Sequence, residues 1–271
     1  MFVLLILGLA AGAIGTIVGL GGAFIIMPAL LLIYPNEKAD LLTGLSLVAV
    51  FFNALSGSTA YARMKRIDFR AGAMFAAATV PGAMLGALST SYFPRSLFDP
   101  IFGSLLLVVA ATLLVRPAGA PSRSGPAVPG RFSMQRRITD SQGTVHEYSF
   151  KWPGGVALSL AAGYISSLFG IGGGIIHVPA LIRLFGFPVH IATATSHFIL
   201  AFMALAGTVI HLMDGSLKSS GTVIMLAIGA IIGAPFGAKL SSRLHGRWIM
   251  RSLAAALALV ALRILTLALW R

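Results

Sequence analysis

Apolar residues fill eight stretches of the chain, at about 2–33, 41–62, 71–92, 98–115, 154–185, 191–212, 219–238 and 248–269, with short polar loops between them. A helix that crosses a bilayer once needs roughly 20 apolar residues. Six of the stretches have that length. The first and fifth are too long, since about 32 helical residues would run nearly 50 Å against a hydrocarbon core of about 30 Å. Both over-long stretches carry a glycine cluster near the middle, GLGG at 19–22 and GIGGG at 170–174, with Pro28 and Pro179 following. Glycine and proline are the residues that interrupt helices. Each stretch is therefore predicted to be two part-helices joined by an unwound turn.

Composition fixes the solvent. The 271 residues are 57% hydrophobic and only 10% charged, against roughly 25% charged in a soluble domain. Such a chain cannot keep a surface wet, so lipid is expected to surround it. The net charge of +13 does not point to nucleic acid, because the basic residues sit in short runs between apolar stretches, the way inner-membrane proteins mark their cytoplasmic loops. The absence of cysteine excludes disulfides, thiolate metal sites and a cysteine nucleophile. Residues 2 to 33 lack the basic start of a secretory signal and their pattern recurs mid-chain, so they read as mature structure. The segment 116–152 is the one substantial polar insertion. Its first part, RPAGAPSRSGPAVPGR, reads as a flexible linker, and two short strands are predicted around Asp140-Ser141-Gln142-Gly143.

The chain repeats itself. Gly12, Gly19, Gly21, Gly22, Pro28, Ala29 and Leu30 match Gly163, Gly170, Gly172, Gly173, Pro179, Ala180 and Leu181 at an offset of 151. Ser46 and Gly57 match Ser196 and Gly207 at 150, and Gly82 and Gly86 match Gly233 and Gly237 at 151. The expected fold is an all-α membrane protein of two homologous repeats, residues 1–115 and 153–271, joined by the 116–152 linker. Loop charge sets their relation. Arg63, Lys65, Arg66 and Arg70 lie between stretches two and three, where the second half has only Lys218. Between stretches three and four the first half has only Arg95, and the second has Lys239, Arg243, Arg247 and Arg251. The basic side switches, as an inverted repeat requires. Inversion follows if each broken segment re-enters on the side it came from, with three crossings after it. That arrangement puts 15 Lys/Arg on the inside and four outside, against 12 and seven for eight simple crossings.

An unwound turn in lipid leaves backbone groups unpaired, so it must face protein or a watery cavity. Gly19, Gly21, Gly22 and Gly170, Gly172, Gly173, Gly174 remove side chains there, and the half-helix that follows presents free N–H groups and a positive dipole end suited to an anion. Close helix packing is the other use of such glycines. The next stretches add hydroxyls, in TGLS (Thr43, Ser46) and TATSH (Thr193, Thr195, Ser196). These either ligand the same cavity or bond back to their own helices. Asn53 is a ligand or interhelical glue. His177 and His197 lie well inside apolar stretches and are a working pair for anion or proton, or neutral hydrogen-bonded residues; their repeat equivalents are Ile26 and Leu47. No carboxylate falls at mid-depth, which argues against a cation or metal carrier.

These residues resemble the sulfite exporter TauE/SafE family. The resemblance rests on GTIVGLGGAFIIMPALL and SSLFGIGGGIIHVPALI, supported by TGLS and ATATS and by PGAMLG and GAPFG. It covers the chain apart from 116–152. It implies movement of sulfite or small organosulfur anions across a bacterial inner membrane. The chain departs from its own pattern at Ala23, where the second copy has Gly174, so the first turn is expected to be more crowded. The combined reading is a multi-pass secondary transporter, expected to be an exporter working by alternating access, with a small anionic substrate, membrane lipid around it, no cofactor, no metal and no catalytic residue. An anion channel is the first alternative, and a membrane-embedded enzyme or scaffold the second. A homo-oligomer is compatible with all three.

Overall fold

The structure is a computed structural model and describes residues 2–115, 131–215, 217, 220–241 and 246–269. Lys218, Arg243 and the proline-rich stretch 116–130 lie outside the described residues. The first half gives α1 (Phe2–Val18), α2 (Ala23–Ile33), α3 (Ala39–Arg63), α4 (Phe69–Thr90) and α5 (Arg95–Val115). The hairpin strands β1 (Ser133–Thr139) and β2 (Val145–Lys151) follow. The second half gives α6 (Trp152–Leu168), α7 (Gly174–Arg183), α8 (Val189–Met213), α9 (Ser220–Ser241) and α10 (Gly246–Leu269). Among the described residues α3, α4, α8 and α9 are each long and apolar enough to cross a membrane.

Both over-long stretches are broken at their glycines. Gly19, Gly21 and Gly22 have φ of 85°, 73° and 77°, and Gly170 and Gly172 have 63° and 66°. A side chain strains the backbone in that region, so glycine alone makes the break inexpensive. The prolines do not share the task, contrary to expectation. Pro28 and Pro179 lie inside α2 and α7, which run on to Ile33 and Arg183. A helical proline removes one N–H and bends the axis; it does not impose positive φ.

Helix packing is set by small residues. α1 lies against α9, and a Cβ on Gly233 or Gly237 would collide with the carbonyls of Leu9 and Ala13. α4 lies against α6, and a Cβ on Gly82 or Gly86 would collide with the carbonyls of Leu160 and Tyr164. These are the same contacts with the halves exchanged. α3 packs on α8 and α5 on α10. Lipid tails give apolar helices no reason to seek each other, so close backbone approach and polar bonds must hold them. Large apolar side chains face outward instead, among them Leu85 and Leu88 on α4 and Ile228, Ile231 and Phe236 on α9.

Two sets of contacts define the ends of the bundle. At one, the Arg95 guanidinium at the start of α5 donates to the carbonyls of Leu31, Tyr34 and Glu37, and His211 at the end of α8 meets Asp40 at 2.9 Å. At the other sits the hairpin, paired antiparallel from Ser133↔Lys151 to Thr139↔Val145, where two strands were expected. Tyr148 and Phe150 pack on Phe187, Phe185 and Phe75. Asp68, the N-cap of α4, accepts from Ala71 N–H at 3.1 Å, from Arg136 through two bonds of 2.7 and 2.8 Å, and from the Tyr148 hydroxyl at 2.6 Å. Arg66 faces Asp140 at 3.7 Å, and Ser141 N–H donates to the Met64 carbonyl.

Burial alone pushes the Asp68 carboxyl up; the bonds from Arg136, Tyr148 and the Ala71 amide outweigh it and hold the group below the usual carboxylate range. A carboxyl depressed in the folded state contributes stability that is present above its unfolded value and is lost as pH falls through the folded one. Hairpin docking is therefore expected to survive mild acid and to fail only below the ordinary aspartate range. Asp68→Asn keeps the helix cap and removes the charge. It should weaken docking by about 2 kcal/mol, seen as roughly 30-fold faster amide exchange in the two strands; unchanged exchange would contradict the assignment.

Candidate functional site

The two breaks meet in the middle of the bundle. A Cβ on Gly21 would lie 2.6 Å from Leu200 and 3.1 Å from Val50, and one on Gly172 would lie 3.2 Å from Val50 and from the Leu20 carbonyl. Val50 and Leu200 stand near the mid-length of α3 and α8. A Cβ on Gly174 would lie 2.5 Å from the Gly19 carbonyl oxygen and from Leu20 Cα. The breaks thus touch backbone to backbone. Ala23, at the matching place in the first half, is fully buried and keeps its methyl group.

Each half holds the other's break. Ser46 donates to the Gly170 carbonyl at 2.6 Å, and Ser196 donates to the Gly19 carbonyl at 3.1 Å. The two serines match across the repeat and do the same work on opposite partners. Both are fully buried. Among the described residues, none of the N–H groups of Gly21, Gly22, Ala23 and Phe24 has a hydrogen-bond acceptor, and neither have those of Gly172, Gly173, Gly174 and Ile175. Every helix begins with orphan N–H groups. Here two sets converge where water is scarce, and their dipoles point positive ends into one region.

Side chains around the breaks divide the halves. Thr16 donates to Asn53 Oδ1 at 3.2 Å, and His197 Nε2 lies 3.1 Å from the same oxygen and 3.2 Å from Thr16 Oγ1. All three are fully buried. They come from α1, α3 and α8, and the Tyr61 hydroxyl closes the group by donating to the Thr16 carbonyl at 2.7 Å. The matching positions in the other half are Ser167, Met203 and Leu47. The correspondence is visible in contacts: a Cβ on Gly57 would meet His197 and Thr16, and one on Gly207 would meet Leu47 and Ser167. Buried hydroxyls without a partner, on Thr43, Ser166 and Ser167, line this second side.

The sequence-derived candidates fall into three groups. The seven glycines, Ser46 and Ser196 meet at the centre. Asn53 and His197 join Thr16 beside the first break. His177 and Thr195 stand apart: His177 Nδ1 is 2.9 Å from the Gly173 carbonyl of its own helix and Nε2 is 3.2 Å from Ser159, and Thr195 accepts from the Asp68 N–H at 3.0 Å, beneath the hairpin. Thr16 is the residue the sequence reading overlooked. Its match with Ser167 at the 151 offset, each just before a break, was the available signal. No group of His, Asp or Glu among the described residues is arranged to hold a metal ion.

Apolar crossing helices around two buried glycine breaks are the build of a multi-pass membrane transporter. A model described as sulfite exporter TauE/SafE matches residues 4–264, and the chain belongs to that family. It is 29% identical to the Bacillus subtilis protein named "Probable membrane transporter protein YunE", over 97% of this chain and 94% of that one. It is 22% identical to a Methanocaldococcus jannaschii protein with the same general description, over 96% and 93% of the two chains. A segment is 31% identical to "Sulfite exporter TauE/SafE family protein 6" of Arabidopsis thaliana, over 35% of this chain and 22% of that one. No solved structure matches the chain.

The contact between the breaks is directly testable. An alanine at Gly174 drives a methyl group into the Gly19 backbone, which cannot yield. For one at Gly173 the nearest atoms belong to side chains and not backbone, His177 Nδ1 at 2.9 Å and Met203 Sδ at 3.0 Å, and the Met203 thioether can turn aside. Gly174→Ala should cost about 3 kcal/mol, the upper end for overpacking. Gly173→Ala should cost less than about half of that, by the same principle. Thermal unfolding of the two purified variants gives the order; equal midpoints would contradict the packing described.

Proposed function

We propose that this chain is a secondary carrier that exports sulfite or small organosulfur anions across the bacterial inner membrane by alternating access. The observation that carries the reading is the convergence of two sets of acceptor-free N–H groups at mid-bundle. Such groups cost free energy when buried, and an anion relieves both ends at once without needing a lysine or arginine. The name of the family and that of the Arabidopsis relative support a sulfur oxyanion as cargo. In the described state the breaks are in contact, so anion entry must part them, and Ser46 and Ser196 are the bonds that give way.

An inverted pair of repeats fits this reading. α1 runs beside α9 with residue numbers rising together, from Gly8 at Leu226 to Ala13 at Gly237, and α2 ends beside Arg95, at the opposite end of the bundle from α7 and the hairpin. Each broken segment then re-enters, and the halves point in opposite senses. The hairpin end carries Arg63, Lys65, Arg66, Arg136 and Arg137, which makes it the cytoplasmic side. Carriage needs no covalent step, so no side chain is assigned a catalytic part.

Purified protein in liposomes should take up labelled sulfite saturably, with ethanesulfonate competing and rubidium unmoved. Fast, non-saturating flux would make it a channel instead, and no anion movement by folded protein would overturn the reading.

A further inference from the structure

We propose that His197 is a proton-binding site, filled together with the transported anion, so that each anion moves with one proton. This rests on the carrier reading above. Asn53 Oδ1 can only accept, so the hydrogen between it and His197 sits on Nε2. Nδ1 is then a bare lone pair, and it has no hydrogen-bond partner. The neighbouring Ser196 donates to the Gly19 carbonyl inside the first break, and His197 itself bonds Thr16, three residues before that break. A proton arriving at Nδ1 leaves the Thr16–Asn53–His197 triangle intact. It puts a positive charge into the break where an anion would otherwise meet only dipoles.

The placement is selective. The duplicated scaffold builds the same corner a second time from Ser167, Met203 and Leu47, with nothing titratable in it. His177 differs from His197 because both of its nitrogens are already engaged, by Gly173 and Ser159. Few charged or titratable groups face the His197 ring. From α3 comes Tyr61, edge-on with ring centres 5.7 Å apart, with Arg66 beyond it paired to Asp140. From α1 comes only Thr16. At the head of α4 stands Asp68, tied to Arg136 and Tyr148. His190 and His211 lie toward the two ends of α8 itself.

A buried imidazole without a counter-charge favours its neutral form. A neighbouring anion favours the charged form. Proton and anion therefore assist each other's binding, and the assistance is reciprocal. The proton comes from water on the loading side, forms one N–H bond at Nδ1, and returns to water when that bond breaks on the far side.

The test uses the full chain in liposomes holding a pH-sensitive dye, with labelled ethanesulfonate and labelled sulfite as probes. Ethanesulfonate has no titratable proton of its own near neutral pH, so protons that move with it belong to the protein. The wild type should carry about one proton per anion. In His197→Gln, whose amide can still donate to Asn53, the ratio should fall toward zero in whatever flux remains. If only sulfite moves, the ratio is read as the difference between the wild type and His197→Gln. If that variant does not fold, a chain with His146, His177, His190, His211 and His245 all changed to Gln must keep the wild-type ratio. Anion flux without protons in the wild type, an unchanged ratio in His197→Gln, or loss of coupling in the chain retaining His197 alone would each overturn the proposal while leaving the carrier reading in place. No flux of either anion would remove both.

Discussion

A serine hydroxyl on each long crossing helix holds the carbonyl of the other half's broken helix, and the rest of the interior follows from that exchange. Ser46 to Gly170 and Ser196 to Gly19 satisfy acceptors that would otherwise be stranded in a dry bundle. They also draw the breaks together until Gly174 lies against the Gly19 backbone. With the Gly19 and Gly170 carbonyls taken, the N–H groups from Gly21 to Phe24 and from Gly172 to Ile175 remain open at the centre. Converging open donors of this kind favour an anion through the backbone, and among the described residues no carboxylate or ammonium stands at the breaks whose desolvation would have to be offset.

On this even frame the side chains are uneven. The backbone contacts recur with the halves exchanged, down to the glycines that let α1 lie on α9 and α6 lie on α4. The corners beside the two breaks do not recur. One is Thr16, Asn53 and His197; the other is Ser167, Met203 and Leu47. One break keeps a methyl group at Ala23; the other has none at Gly174. The proposed alternating carrier would need two arrangements of nearly equal stability, and contacts that recur with the halves exchanged are consistent with that need.

The periodicity showed where the helices would fall, and the glycine clusters showed where two of them would break, because positive φ is a local demand that glycine answers locally. The hairpin was legible for the same reason, in the turn at Asp140 to Gly143. The prolines were misleading. Pro28 and Pro179 read as helix breakers alongside the glycines and proved to be interior to α2 and α7, since a helix with enough neighbours absorbs one missing N–H. The partners were not legible at all. Ser46 and Ser196 stood out as a matched pair, but that each reaches the opposite half depends on how α3 crosses α8, a tertiary fact. Thr195 read as a companion of Ser196, and it instead holds the amide of Asp68, because one residue along a helix turns a side chain through about 100°. The hold on the hairpin, Asp68 with Arg136 and Tyr148, joins residues 68 and 80 positions apart, beyond any local pattern.

The most direct measurement of the central claim is a density map of the protein with ethanesulfonate bound. The sulfonate is expected between the two breaks, within hydrogen-bond distance of N–H groups from Gly21 to Phe24 and from Gly172 to Ile175, with the Gly19 and Gly174 backbones moved apart. An ordered anion elsewhere, with those backbones still in contact, would contradict that claim.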